Sequence, residues 1–243
     1  MAGHSRWKQI KHKKAASDAK KGQLFSKLVR EIAIAAREGG PNPDANPRLR
    51  AAVERARAEG LPKENIERAI ERASGKGEAG GLSEFLYEAS TPGGIAILIE
   101  GITDSKNRTL AEIKHLLNEY NSRLVEPGSL AWNFDRIGLI ELSAAENPGK
   151  TKEEMELAII ESGAMDFRTI DEVWLVETAF AQGERVRRAL EMLGINVREL
   201  NHDYKPRAPI EVPPAERQKI EPLLDALAEH ADVQEVYTNV ESL

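Results

Sequence analysis

The residues best suited to chemistry crowd into the first thirty positions. Arg6, Lys8, Lys11, Lys13, Lys14, Lys20, Lys21 and Lys27 stand there with Trp7, His4 and His12 interleaved. Nine basic residues in this stretch face one acidic residue, Asp18. A cation cluster of this kind neutralises phosphates and releases their condensed counterions, giving sequence-independent affinity that falls steeply with salt. An indole stacks on an unpaired base, and the Arg6 guanidinium can grip one phosphate with two parallel bonds. The candidate nucleic-acid contacts are therefore Arg6, Trp7, Lys8, Lys11, His12, Lys13, Lys14, Lys20, Lys21 and Lys27. The competing reading is a solvated, solubilising tail, but a net +8 in thirty residues exceeds what solubility requires.

Other chemistries find little support. The turn Gly60-Leu61-Pro62 between two helical patterns suggests a helix-turn-helix. The outward face of the third helix opposes a groove-reading role, because Lys63, Arg68 and Arg72 are cancelled by Glu64, Glu67 and Glu71. Glu64 and Arg68, four apart, read as a surface ion pair. Pro148-Gly149-Lys150-Thr151 imitates the end of a phosphate-binding loop, yet the glycine required five residues before Gly149 is Ala144. Thr151 with Glu154 reads better as a capping box. The five histidines lack metal-ligand spacing, and Glu229-His230-Ala231-Asp232 reads as a solvated helix end rather than a metal site. There is no cysteine, so disulfides, thiolate metal sites and thiol nucleophiles are excluded. No Gly-x-Ser-x-Gly elbow occurs. We expect no enzyme, no cofactor, no metal and no small-molecule substrate.

The charge distribution sharpens the first reading. The chain of 243 residues has a formal net charge of −6, which by itself argues against a polyanion partner. Divided along its length, it carries +8 in residues 1–30, zero in 31–80 and −14 in 81–243. The acidic excess is a solvated surface, or a dock for a basic partner such as a ribosomal protein. No apolar run approaches ~18 residues, so no membrane span is expected. The basic start has no apolar core after it, as a secretory signal needs, and no Ser-rich amphipathic stretch, as a transit peptide needs. The composition is that of a cytoplasmic protein.

These residues must be positioned by elements. Residues 1–17 hold almost nothing apolar beyond Trp7 and Ile10, which predicts a flexible basic arm. Leu24, Leu28, Ile32 and Ala35 then give one helical face, ended by Gly39-Gly40. Asn46 and Pro47 open a second helix through Leu49, Val53 and Ala56, and Pro62 opens a third through Ile66, Ile70 and Ala73. Residues 18–76 thus form a helical domain, followed by a glycine-rich linker at 75–81. Strands are predicted at 85–89, 95–102 and 130–134, with a helix through Leu110, Ile113, Leu116 and Leu117. From 137 the order is strand 137–143, helix 152–162, strands 165–170 and 173–178, helix 181–193 and strand 195–201, a ferredoxin-like βαββαβ unit. Strand 208–212, a helix 214–229 interrupted at Pro222, and strand 233–240 complete the chain. The expected class is α+β: an N-terminal three-helix domain plus two α/β domains, with residues 135–204 inserted into a domain built from 82–134 and 205–243.

Beyond composition and pattern, the chain resembles a known family. His4-Ser5-Arg6-Trp7, Ile10-Lys11-His12-Lys13-Lys14, Asp18-Ala19-Lys20-Lys21-Gly22, Phe25-Ser26-Lys27-Leu28 and Arg30-Glu31-Ile32 look like the opening of the YebC/PmpR family. The likeness continues through Pro62-Lys63-Glu64-Asn65-Ile66, Thr103-Asp104, Asn107-Arg108-Thr109, Gly128-Ser129 and Asp232-Val233-Gln234, over essentially the whole chain. Two loops depart from it: Ala89-Ser90-Thr91 replaces a usual Gly-Tyr-Gly, and Asn121-Ser122-Arg123 replaces a Gly-Gly pair. The resemblance implies a helical N-terminal domain, two α/β domains and a DNA-binding transcriptional regulator. A mitochondrial relative activates translation of cytochrome c oxidase, and bacterial members are linked to relief of ribosomes stalled on proline runs. The alternative is therefore a ribosome-associated translation factor that binds ribosomal RNA. A mobile Lys/Trp arm suits irregular RNA better than a B-form groove, whereas the family description favours DNA.

Overall fold

Leu28, Ile32 and Ala35 recur at helical spacing, and the chain there is a helix, α1 (Asp18–Gly39). Helices α2 (Pro47–Ala58) and α3 (Lys63–Ser74) follow as their caps and apolar faces require. The computed structural model describes residues 18–74, 81–170 and 172–241; the expected arm at 1–17 and nearly all of the 75–81 linker lie outside them. The three helices share one core, in which Leu28, Ile32, Leu49, Val53 and Ile66 are buried. Asn46 ties two of them together. Its side-chain oxygen accepts from Leu49 N–H at 3.0 Å, and its amide donates to the carbonyls of Ala35 and Gly40 at 2.8 Å each.

Two four-stranded antiparallel sheets follow. The first has the order β3-β1-β2-β8, from β1 (Ser83–Ser90), β2 (Ala96–Thr103), β3 (Arg123–Leu124) and β8 (Val233–Thr238). Helices α4 (Lys106–Glu119) and α7 (Pro214–Glu229) pack on one face, through Ile97, Ile99, Ile113, Leu117, Leu224 and Leu227. The second sheet has the order β5-β6-β4-β7, from β4 (Phe134–Ser143), β5 (Asp166–Ile170), β6 (Val173–Ala179) and β7 (Glu199–Pro206). With α5 (Lys152–Glu161) and α6 (Gly183–Met192) between its strands, this is the ferredoxin-like order. One structural unit runs to Asp135 and resumes at Lys205; the other is Arg136–Tyr204.

Several expectations are corrected. Residues 130–134 are no strand: Ala131–Asn133 is a 3-10 turn, and β4 begins at Phe134. The buried Glu88 carboxylate draws that segment inward by accepting from Gly128, Leu130 and Ala131 N–H at 2.5, 2.6 and 2.9 Å. Residues 208–212 make only an isolated bridge, Ile210 to Val240, because Pro206, Pro209 and Pro213 have no N–H to continue a ladder. The last strand of the inserted unit starts at Glu199 rather than 195. Asn147 holds the preceding loop, accepting from Asn196 N–H at 2.7 Å and donating to its carbonyl at 3.1 Å.

Pro222 does not interrupt its helix. Helix α7 is continuous, because burying Leu223, Leu224 and Leu227, at ~1.5–3 kcal/mol each, outweighs the ~3 kcal/mol proline penalty. On α3 the surface ion pair is Lys63–Glu67 at 3.5 Å instead of Glu64–Arg68. The Thr151–Glu154 capping box forms as predicted.

Replacing Asn46 by Ala removes a cap and takes the side-chain donor from the buried Ala35 carbonyl and the half-buried Gly40 carbonyl. We expect a loss of roughly 1–3 kcal/mol in chemical denaturation, with no change in m-value.

Candidate nucleic-acid interface

Of the sequence-predicted contacts, Arg6, Trp7, Lys8, Lys11, His12, Lys13 and Lys14 lie outside the described residues. Lys20 falls in the first turn of α1. Lys21 is exposed there, its Nζ 5.8 Å from the centroid of the Phe25 ring. Lys27 is the correction. It is 4% exposed, and its ammonium donates to the Ala228 carbonyl at 2.6 Å. The helical period explains this: residues 24, 28 and 32 face the helical core, and 27 and 30 lie on the flank that meets the end of α7. Burial pulls the Lys27 pKa down to about 8, partly opposed by Glu235. This lysine is therefore part of the scaffold, where it satisfies the carbonyl end of α7, a place that favours a cation.

One turn further along α1, Arg30 reaches the same junction. Its Nη1 donates to Ala231 O at 2.7 Å and to Asp232 Oδ1 at 2.6 Å. Asp232, at the entrance to β8, is 1% exposed. Its second oxygen accepts from Arg108 Nη2 at 2.7 Å, Thr109 Oγ1 at 2.6 Å and Thr103 Oγ1 at 3.1 Å. Burial pushes the Asp232 pKa up, but the hydrogen bonds from Thr109 and Arg108, with the charge and hydrogen bond of Arg30, outweigh it and hold the group at about 2. Gly101 makes the approach possible: a Cβ there would fall 2.2 Å from the Asp232 carbonyl oxygen, which accepts from Ile102 N–H at 2.9 Å. A second bridge runs through Arg55 of α2, 3.1 Å from Glu235 on β8 and 3.5 Å from Glu31 on α1.

Asp232 is thus no solvated helix end. With Glu112 and His230 it forms a group whose ligand atoms lie within 4.8 Å of one another, the geometry a divalent cation needs. The chemistry does not suit one. Both Asp232 oxygens are already taken, two by guanidinium donors, and His230 Nδ1 accepts from Asp232 N–H at 3.1 Å while Nε2 lies 3.0 Å from Glu112. A metal would have to displace two fixed positive charges. The cluster is an ion-pair node.

The node is built from residues that carry the family resemblance: Arg30, Thr103, Arg108, Thr109 and Asp232. Comparison with known proteins agrees. Residues 5–76 match the family described as the TACO1/YebC protein N-terminal domain, and residues 82–240 match the TACO1/YebC second and third domain. The chain belongs to the TACO1/YebC family. A relative from Thermotoga maritima, named "Probable transcriptional regulatory protein", is 46% identical over 99% of this chain and 94% of its own length. One of the same name from Thermomicrobium roseum is 46% identical over 98% and 96%. A crystal structure of a conserved hypothetical protein from Aquifex aeolicus is similar with a TM-score of 0.88 and 40% identity, covering 98% of each chain. The loops at Ala89-Ser90-Thr91 and Asn121-Ser122-Arg123 are neighbours in the first sheet, where Ser90 pairs with Arg123. Asn121 there takes the left-handed conformation at φ 54 without being glycine.

Residue-level reasoning missed the node because its members are scattered from 30 to 232, and only the shared motifs mark them. Two measurements test its role. The depressed Asp232 pKa contributes stability that is present above pH ~4 and lost as pH falls towards 2, roughly 2 kcal/mol in all. Asp232→Asn should lower stability by about 3 kcal/mol at neutral pH and flatten that acid limb. For Lys27 the sign is opposite. With a folded pKa of about 8 against 10.5, the unfolded chain holds more protons between them, so stability rises by about 1.5 kcal/mol from pH 8 to 9.5. Lys27→Met should abolish that rise and leave nucleic-acid affinity unchanged.

Proposed function

We propose that this protein is a non-enzymatic, nucleic-acid-binding regulator of gene expression that grips phosphate through its N-terminal arm and the start of α1. The observation that carries this reading is the charge split, +8 in residues 1–30 against −14 in 81–243. The names of the relatives support a regulator of transcription, and DNA is the first target to test. With Lys27 and Arg30 engaged inside the protein, seven cations of that stretch remain as candidates: Arg6, Lys8, Lys11, Lys13, Lys14, Lys20 and Lys21. Seven phosphate contacts set a ceiling on the salt dependence, a log–log slope near −6 on duplex DNA and near −5 on a single strand.

A second reading, a ribosome-associated translation factor on ribosomal RNA, is favoured by one observation. Helix α3 presents three carboxylates among its cations, with Lys63 paired to Glu67, so this helix offers phosphate no clean basic face beside a groove. Crosslinking in cells followed by sequencing of both recovered DNA and RNA decides between them: discrete promoters support transcription, and ribosomal RNA supports translation. Recovery of neither would sink both. No helix among the described residues is long and apolar enough to cross a membrane.

Neutral replacement of Lys11, Lys13 and Lys14 together should flatten the salt dependence of binding by a log–log slope of roughly 2–3. An unchanged slope places the binding elsewhere.

A further inference from the structure

The inserted unit carries eight basic and fourteen acidic residues between 136 and 204. Most of its arginines have taken a carboxylate: Arg168 is 3.4 Å from Glu177, Arg187 is 2.9 Å from Glu191, and Arg198 is 2.9 Å from Glu141. Arg136 is exposed on β4, and among the described residues no carboxylate pairs with it. It lies on aromatic rings instead. Its Cζ is 4.1 Å from the centroid of the Phe180 ring and 6.0 Å from that of Tyr204. His202 stands edge-on to both, at 6.4 Å from Phe180 and 6.1 Å from Tyr204.

The sheet explains the grouping. Ile137 pairs with Ala179, so Arg136 comes beside Phe180 just past the end of β6. On the other side of β4, β7 carries His202 and Tyr204 two residues apart, on the same face by strand alternation. Three neighbouring strands thus present one cation and three rings together. Phe180 remains 48% exposed. A phenylalanine so placed has no solubility benefit, and a guanidinium spread over it keeps N–H donors directed outward.

We propose that Arg136, Phe180, His202 and Tyr204 form a stacking platform for an unpaired base of a single-stranded nucleic acid. The base lies on the exposed Phe180 ring, and Arg136 donates to its edge or to the adjoining phosphate. A neutral base suits this surface because it meets no Coulomb penalty from an acidic unit, and the one phosphate that accompanies it meets the Arg136 guanidinium, which no carboxylate holds among the described residues. This deepens the reading of the protein as a nucleic-acid binder and rests on it. The platform recognises the base, whereas the cations of the arm recognise charge.

The test uses the full-length protein and fluorescence anisotropy with three labelled probes of equal length and charge: single-stranded RNA, single-stranded DNA, and an oligomer with abasic sugars. Base stacking predicts that wild type binds the base-bearing strands about 5- to 150-fold more tightly than the abasic one. Phe180→Leu keeps an apolar side chain but removes the ring, and should erase most of that ratio while affinity for the abasic strand stays. Arg136→Gln, which leaves the ring in place, should narrow the ratio and flatten the salt slope by about 0.7. If wild type shows no preference for bases, or both variants keep it, the platform is overturned while the arm stands. If no probe binds the wild type, the nucleic-acid reading itself fails.

Discussion

Asp232 sits where α7 gives way to β8, its carboxylate out of water and held by donors from three separate elements. Desolvating a carboxylate costs several kcal/mol, and burial here does push the group towards its neutral form. Two guanidiniums and the Thr109 hydroxyl reverse that balance. The consequence is geometric as much as energetic. Arg30 belongs to the helical domain, Arg108 and Thr109 to α4, and Thr103 to β2. One anion therefore fixes the arm-bearing helix against the first sheet in a single arrangement. An apolar contact of equal area would tolerate sliding; a carboxylate with its oxygens assigned to particular donors does not.

The same junction uses the carbonyl end of α7. Lys27 donates to Ala228 and Arg30 to Ala231, so two of the nine basic residues at the N-terminus satisfy a helix end and an acid instead of meeting phosphate. The lowered Lys27 pKa records the strain of placing an ammonium there. It persists because removing it would leave the Ala228 carbonyl short of a donor and Glu235 short of a neighbouring charge. Counting lysines overstates a binding surface for this reason: a cation on an amphipathic helix near the boundary of its apolar face is available to the protein's own carbonyls first.

Local signals revealed much of this architecture. Asn46-Pro47, Thr151 with Glu154, and the near-continuous apolar run of β2 each state a structure within a few positions, and each is found. The failures share a physical origin in long-range partners. Nothing within 125–134 announces that Glu88, some forty residues earlier, will bend that segment by accepting three of its N–H groups. Nothing near Pro222 announces that its helix will be held by a leucine core reaching across to β2. The functional residues divide in the same way. A dense run of lysines can be read directly, whereas the Asp232 node and the Arg136 cluster exist only once distant strands and helices are brought together.

A chain with a basic start and an acidic body faces a conflict when its partner is a polyanion, and range resolves it. Coulomb attraction and repulsion between exposed charges are screened over ~8 Å at physiological ionic strength, so the sign of the net charge governs only what happens close to each surface. Where the body is acidic, any productive contact with nucleic acid must draw on an interaction that does not depend on net charge. Aromatic stacking is such an interaction, short in range and indifferent to the sign of the field. Arg136 over Phe180 is consistent with that division, because it places a cation where the ring needs one without building a basic surface around it. On the proposed reading, affinity that falls with salt and selectivity for unpaired bases would be separate properties of one chain, open to separate measurement.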